Sequence, residues 1–328
     1  MITLTLACGA YDRVRPLLDG RVEVAGVRLL ALPMPSEQSF PRAVTRAEFD
    51  VSELSLSSQI VQVSRGEAAY VALPVPVARA FRHGCIYIRR DAGIAAPKDL
   101  EGRAVGIPEY GMTAGLWLRG ILADEHGVAV DAIRWRTAGT NAPGRKERLP
   151  LELPPELDVR PLPDGATLNE ALLSGELDAV LSPTPPRAFT AGDGRVLRLF
   201  TEPREAAEAY HRRTGFFPIM HLIGVRREIL ARDPHLGLLL YQAFAEAKRV
   251  AEAEWETIIA ASSPATMLPF LAEEWSAMRA LLGPDPWRYG VRANRAEIDT
   301  LCRWSHAQHL SRRLVTRDEL FDGATLVT

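Results

Sequence analysis

Hydrophobic and polar positions along the chain fall into two alternating rhythms. Ile2 to Ala7 alternates like a strand and leads into Tyr11 to Leu18, Val27 to Leu32 has a strand pattern, and Ser36 to Glu48 reads as a polar helix interrupted by Pro41. Asp50 to Leu56 alternates again, Ser58 to Arg65 carries Ile60, Val61 and Val63 at helical spacing, and Tyr70 to Leu73 is another short strand ended by Pro74 and Pro76. This βαβα order predicts one α/β lobe built on a largely parallel sheet.

A second lobe follows by the same logic. Cys85 to Arg89 and Ala104 to Ile107 are strand-like around a turn at Pro97 to Gly102, and a helix begins near Met112 with Ala114, Leu116, Trp117, Leu118, Ile121 and Leu122 as its apolar stripe. Strands are predicted at Ile133 to Thr137, Leu177 to Leu181 and Val196 to Phe200, with helices at Leu168 to Ser174 and Glu202 to Arg213. Gly139 to Pro163 is rich in proline and charge and reads as a long loop or ribbon. After Gly215, FFPIMHLIGVRREI has the pattern of a return crossing, and helices over Pro234 to Ile259, Pro269 to Leu282 and Ala296 to Leu314 are expected to pack on the first lobe. The predicted division is therefore 1–84 with 219–328 as lobe 1 and 85–218 as lobe 2, joined by two crossings.

Composition narrows the partners. A chain of 328 residues, 47% hydrophobic and 24% charged, is long enough for two lobes around sizeable cores. A net charge of −2 without a Lys/Arg-rich patch argues against nucleic acid, and no apolar run is long enough to span a membrane, so a small ligand is expected. Cys8, Cys85 and Cys302 are far apart and odd in number, which predicts buried thiols and not a disulfide framework or a zinc site. The N-terminus lacks a positively charged leader pattern, so cytoplasmic location is the expectation. Trp275 and Trp304 serve either a core or the interface of a homo-oligomer.

Several residues suggest chemistry. Pro108 and Gly111 break the strand before a helix whose first turn contains Thr113; its unpaired N–H groups and dipole favour a carboxylate or phosphate, unless Thr113 only caps its own helix. Arg82 offers a guanidinium for bidentate carboxylate binding beside His83, which titrates near neutrality; a solvated turn is the alternative. His221 ends FFPIM on the return crossing, as a site residue or as a core histidine. In SELSLSS, Glu53, Ser55 and Ser57 share one face by period two, with Ser57 or Ser58 as an ordinary helix cap in the competing reading. Tyr11 and Asp12 follow the first strand, where open α/β sheets place ligands, although turn chemistry also suits Asp12. Arg145 and Arg187 are loop cations available to a second carboxylate, or simply solvated. His306 and His309 have metal-ligand spacing without a third ligand, and Trp287 in DPWRYG is expected to dock its loop. No nucleophile elbow, P-loop or dinucleotide fingerprint is present.

The RH pair before IYIRRDAGI, the PKDLEGRAVGIPEYGMTA run and the later TGFFPIMH run resemble the 4,5-dihydroxyphthalate decarboxylase family, over nearly the whole chain. The resemblance implies an α/β, two-lobe, type 2 periplasmic-binding-protein-like fold with a ligand cleft between the lobes and C-terminal helices. It implies cofactor-independent decarboxylation of a dihydroxylated aromatic dicarboxylate, with 4,5-dihydroxyphthalate giving protocatechuate and carbon dioxide. On that basis His83 is expected to protonate the ring carbon and His221 to act as base, or the reverse. Arg82 and Thr113 would hold the retained carboxylate, and the departing one would lie near Tyr110 and Phe217. The alternative the fold allows is a non-catalytic receptor for an aromatic acid or other small anion, of the ABC-transporter type.

Overall fold

The opening alternation forms strand β1 (Ile2–Cys8), which sends Leu4, Leu6 and Cys8 into a core that leaves each 5% exposed or less. The computed structural model describes residues 1–261 and 266–328, and the chain divides into two units. Unit 1 comprises residues 1–79, 219–299 and 315–328, and unit 2 comprises 80–218 and 300–314.

Unit 1 continues with α1 (Arg15–Leu18), β2 (Val27–Pro33), α2 (Ser36–Arg46), β3 (Val51–Ser55), α3 (Leu56–Arg65) and β4 (Tyr70–Arg79). Unit 2 then supplies β5 (Ile86–Arg89), β6 (Ala104–Ile107), α4 (Thr113–His126), β7 (Arg134–Thr137), β8 (Val159–Pro161), α5 (Leu168–Ser174), β9 (Ala179–Leu181), α6 (Arg187–Thr190), β10 (Val196–Arg198) and α7 (Pro203–Thr214). The chain returns through β11 (Ile219–Arg226), α8 (Arg227–Arg232), α9 (Leu236–Ala260), α10 (Leu271–Leu282), α11 (Arg295–Ala307) and α12 (Arg317–Leu320).

Both sheets are mixed where the alternation predicts mainly parallel ones. In unit 1 the order is β2-β1-β3-β11-β4: β1 is parallel to β2 and β3, whereas β11 lies antiparallel between β3 and β4. In unit 2 the order is β10-β5-β9-β6-β7-β8, with β5 antiparallel to both its neighbours and the other pairings parallel.

Strand β4 corrects one expectation. Pro74 and Pro76 predict an end at Leu73, yet the strand runs to Arg79. It lies at the sheet edge, and its register against β11 jumps between Ile223↔Leu73 and His221↔Ala78, so the prolines sit in an irregular stretch where missing N–H donors cost little. The carbonyls there are used elsewhere: Gly290 N–H donates to Pro74 O at 2.8 Å, Trp287 Nε1 to Pro76 O at 2.7 Å and Arg13 Nε to Val77 O at 2.9 Å. Trp287 thus docks the DPWRYG loop.

The division between units also differs from the predicted one. It falls after Arg79 and not after residue 84, because residues 83–85 form a 3-10 turn tied to unit 2 by Ser182 N–H on Cys85 O at 2.9 Å. Residues 300–314 belong to unit 2, where Trp304 is 4% exposed with its ring 5.2 Å from that of Trp117; it is a core residue and not an interface aromatic. Trp275 stacks on Trp255 with centroids 6.5 Å apart. The last predicted helix stops at Ala307, and His309 adopts a positive φ of 60°, so His306 and His309 do not share a helix.

Candidate active site

The C-terminal ends of β1 and β3 and the start of β11 come together at the strand ends in the middle of the unit 1 sheet, where His221 is registered opposite Ser55. Every residue of β3 is buried, including Glu53 at 0% exposure. A carboxylate in that position requires partners. Among the described residues it has four: Oε1 accepts from the Tyr11 hydroxyl at 2.7 Å and is 2.6 Å from His221 Nδ1, Oε2 accepts from the Gly9 N–H at 2.8 Å, and the buried Cys8 thiol donates to the same carboxylate. Burial works to raise the Glu53 carboxyl, but the His221 bond and charge, with Gly9 and Tyr11, outweigh it and hold the group below its usual range.

An ionised Glu53 can only accept, so the proton shared with His221 belongs on Nδ1 and Nε2 is the nitrogen left for chemistry. The imidazole side chain is 20% exposed, and Phe40 meets it edge-on at 4.8 Å. Burial and the adjacent Glu53 push the Tyr11 hydroxyl well above its usual range, which keeps it a donor to the carboxylate. Gly9 is required by space: a Cβ there would lie 2.8 Å from the Tyr11 ring. Sequence reading overlooked Arg13, whose guanidinium lies 4.6 Å from the Tyr11 ring centroid and 3.9 Å from that of Trp287; the YDR triplet after β1 was the available signal.

Ser55 ends β3 and caps α3, accepting from Ser58 N–H at 3.5 Å. The predicted period-two face therefore stops at Ser55: Ser57 is buried inside α3, because the helix starts at Leu56 and breaks the alternation. Asp12 accepts from Trp255 Nε1 at 2.8 Å and pairs with Arg13 at 3.0 Å.

Unit 2 also gathers polar groups at the C-terminal ends of β6, β7 and β9. Thr140 and Ser182 share a 2.8 Å hydroxyl hydrogen bond there. Helix α4 begins at Thr113 as its pattern predicts, with Met112 and not Thr113 at the cap position. Tyr110 differs from expectation: its ring is 1% exposed, 5.8 Å from Trp135 and covered by the Arg119 guanidinium at 3.8 Å, so the side chain belongs to the core. Phe217 stacks on Phe81 at 4.9 Å. Arg145 is held by Glu109 at 2.7 Å, on an oxygen that Arg148 also engages at 3.1 Å, and Arg187 is exposed at the start of α6.

The largest change concerns His83. It is 3% exposed, with its ring 5.6 Å from Phe200 and 5.3 Å from Tyr210, and its Nδ1 has no hydrogen-bond partner among the described residues. Burial, with the charges of His126 and Arg213, pushes its pKa down to about 4. A neutral, aromatic-enclosed imidazole does not suit proton donation near neutrality. Arg82 starts the same 3-10 turn and is half-buried, with a side-chain hydrogen bond to the Cys85 thiol. The structure thus joins Tyr11, Glu53 and His221 in unit 1 and places Arg82, His83, Tyr110, Thr113, Arg145 and Arg187 in unit 2.

No family model matches the chain. It is 38% identical over 325 residues to a 4,5-dihydroxyphthalate decarboxylase of Comamonas testosteroni, covering 99% of this chain and 98% of that one. The chain belongs to the 4,5-dihydroxyphthalate decarboxylase family. A second relative with that description, from Pseudomonas putida, is 41% identical over 215 residues, 66% of this chain and 83% of its own. Among solved structures, the periplasmic sulfonate-binding protein SsuA of Methylobacillus flagellatus aligns with a TM-score of 0.55 at 12% identity, covering 99% of this chain and 92% of that one. That likeness establishes the type 2 periplasmic-binding-protein fold alone.

Proposed function

We propose that the protein is a carbon–carbon lyase that removes one carboxylate from 4,5-dihydroxyphthalate to give 3,4-dihydroxybenzoate and carbon dioxide. A relative that is 38% identical over nearly the full length is named for that activity, whereas the resemblance to a solute receptor is confined to the fold, so the binding-only reading is not favoured. The three cysteines stand as free thiols, which suits action in the reducing cytoplasm.

The chemistry follows from electron demand. Each carboxylate of this substrate has a hydroxyl para to it. Loss of the hydroxyl proton pushes electron density to the carbon bearing the carboxylate. That carbon takes up a proton supplied by solvent, and the carbon–carbon bond then breaks, its electron pair returning through the ring as carbon dioxide departs, so that the hydroxyl oxygen recovers its proton from the base. Overall one proton replaces one carbon dioxide, and no oxidant or reductant is consumed.

His221 is the proposed base toward the para hydroxyl. Its bond to Glu53 at 2.6 Å is the observation that supports the role, because a buried carboxylate fixes Nδ1 as donor, leaves Nε2 to accept, and stabilises the imidazolium that results. The donor role expected for His83 is withdrawn for the physical reason given above. Arg82 and the turn before Thr113 remain the proposed anchors of a carboxylate.

The test is incubation of the purified protein with 4,5-dihydroxyphthalate, following carbon dioxide release and 3,4-dihydroxybenzoate by chromatography. Equimolar products are expected, and phthalate, which lacks the hydroxyls, should bind without turnover. Absence of both products, or a His221→Ala variant as fast as the wild type, would remove the assignment.

A further inference from the structure

The charged segment after β7, read from the sequence as part of a long loop or ribbon, makes a specific contact in unit 2. Residues 109–112 form a turn closed by Met112 N–H on Glu109 O at 3.3 Å, which leaves the Tyr110 and Gly111 N–H groups for other acceptors. Both are taken by Glu147: Gly111 donates to Oε2 at 3.1 Å and Tyr110 to Oε1. Arg145 and Arg148, on either side of Glu147 in sequence, pair with Glu109 Oε1 at 2.7 and 3.1 Å. From beneath, the fully buried Arg119 donates to Tyr110 O at 2.8 Å, so the Tyr110 peptide has a cation at its carbonyl and a carboxylate at the next N–H side of the turn. Gly111 permits the approach, since a Cβ there would sit 3.3 Å from Glu147 Oε2.

None of residues 141–150 is buried. The segment's attachment is polar throughout, with the two N–H donors on Glu147, Arg145 and Arg148 on Glu109, and Asn141 Nδ2 donating to Pro185 O at 2.9 Å; a segment held by polar contacts with no buried residue of its own is the kind that opens locally. Paired N–H groups beside a helix start are also the kind of donor that a free carboxylate takes.

We propose that residues 144–148 are an autoinhibitory strap: Glu147 fills, as an internal carboxylate, the donor pair at Tyr110 and Gly111, and a carboxylate ligand binds there by displacing it. The inference rests on the reading of the substrate as an aromatic dicarboxylate. Burial, opposed by the Gly111 and Tyr110 N–H groups, aided by Glu109 on the neighbouring turn and opposed by Arg119 on α4, pushes the docked Glu147 carboxyl up to about 7 from an ordinary 4.5; Arg145 and Arg148 share the Glu109 carboxylate. A group with a higher pKa when docked binds protons preferentially in the docked state, so protons hold the strap down and rising pH releases it.

The experiment titrates phthalate calorimetrically into the full chain as wild type, Glu147→Ala and Glu147→Gln, from about pH 5 to about pH 8. Removing an internal competitor should tighten phthalate binding by Glu147→Ala roughly 10-fold near pH 6. The isosteric Glu147→Gln should preserve the fold and lose the part of the pH dependence that distinguishes the wild type. Unchanged or weaker affinity in Glu147→Ala, or no phthalate binding by either protein, overturns the strap. Decarboxylation is read separately: wild-type turnover with unaltered Glu147→Ala affinity sinks the strap alone, and tighter binding without turnover sinks the reaction alone.

Discussion

Glu53 and His221, 168 residues apart in sequence, share a hydrogen bond of 2.6 Å on adjacent antiparallel strands. The bond makes a general prediction about rate. Glu53→Gln keeps the shape of the side chain but removes the charge that fixes the tautomer and stabilises the imidazolium. Turnover of 4,5-dihydroxyphthalate should fall by about 10²–10⁴-fold in kcat for His221→Ala and by a comparable order for Glu53→Gln, with KM changing far less. Steady-state kinetics check this; a Glu53→Gln enzyme with wild-type kcat would show that the carboxylate is only a structural partner.

Tyr11 and Gly9 tune that pair from β1. The Tyr11 hydroxyl donates to the oxygen that His221 also uses, and a methyl group on residue 9 would collide with the Tyr11 ring. Tyr11→Phe should lose one hydrogen bond to a charged group, worth about 1.5–3 kcal/mol, and slow turnover without unfolding the protein. Gly9→Ala should act in the same direction by displacing the ring. Circular dichroism will separate these effects from misfolding, and equal activity in both variants and wild type would remove Tyr11 from the site.

How much of this was readable beforehand depends on the range of each signal. The start of α4 was legible because Pro108, Gly111 and the following apolar stripe are local. The family-bearing runs likewise lie in continuous stretches. Pairings were not legible: Glu53 and His221 each stood out, but nothing in either neighbourhood says that β11 returns antiparallel beside β3. The surroundings of His83 were hidden for the same reason, since RHG looks like a polar turn until Phe200 and Tyr210, far downstream, close around it. Glu147 was passed over because an acid within GRKER resembles any solvated charge. Pro74 and Pro76 misled because only the strand order shows that their strand is an edge.

The enclosure of His83 gives a pH prediction. Its folded pKa of about 4 lies below the unfolded 6.5, so between those values the unfolded chain takes a proton that the folded chain refuses. This contribution to stability is present above about 6.5 and is lost as pH falls toward about 4, by on the order of 3 kcal/mol. Phe at this position should fit an aromatic pocket and does not titrate. The stability gap between His83→Phe and wild type, measured by urea unfolding, should therefore widen in favour of the variant as pH falls from 7 to about 4. Retained decarboxylation in His83→Phe is expected as well; a loss of several orders in kcat with an intact fold would restore His83 to the chemistry.

The last prediction concerns the end of β4 and the start of β11. Arg79 and Glu297 are both nearly inaccessible and lie 3.2 Å apart, Asn294 and the Arg288 carbonyl accept from the same guanidinium, and Glu297 Oε1 also accepts the Ile219 N–H at 2.7 Å. Burial raises the Glu297 carboxyl and lowers Arg79, which marks a pair whose desolvation cost is high and whose partners are mutually necessary. Glu297→Ala removes the counter-charge and an acceptor together, leaving a buried guanidinium and the Ile219 N–H uncompensated. A loss of about 3–5 kcal/mol in unfolding free energy is expected. The double variant Arg79→Met with Glu297→Leu should be more stable than Glu297→Ala, because no lone charge remains buried. Urea melts of the three proteins decide it: if Glu297→Ala costs less than about 1 kcal/mol, the pair is solvated in solution and does not fix the two strand ends.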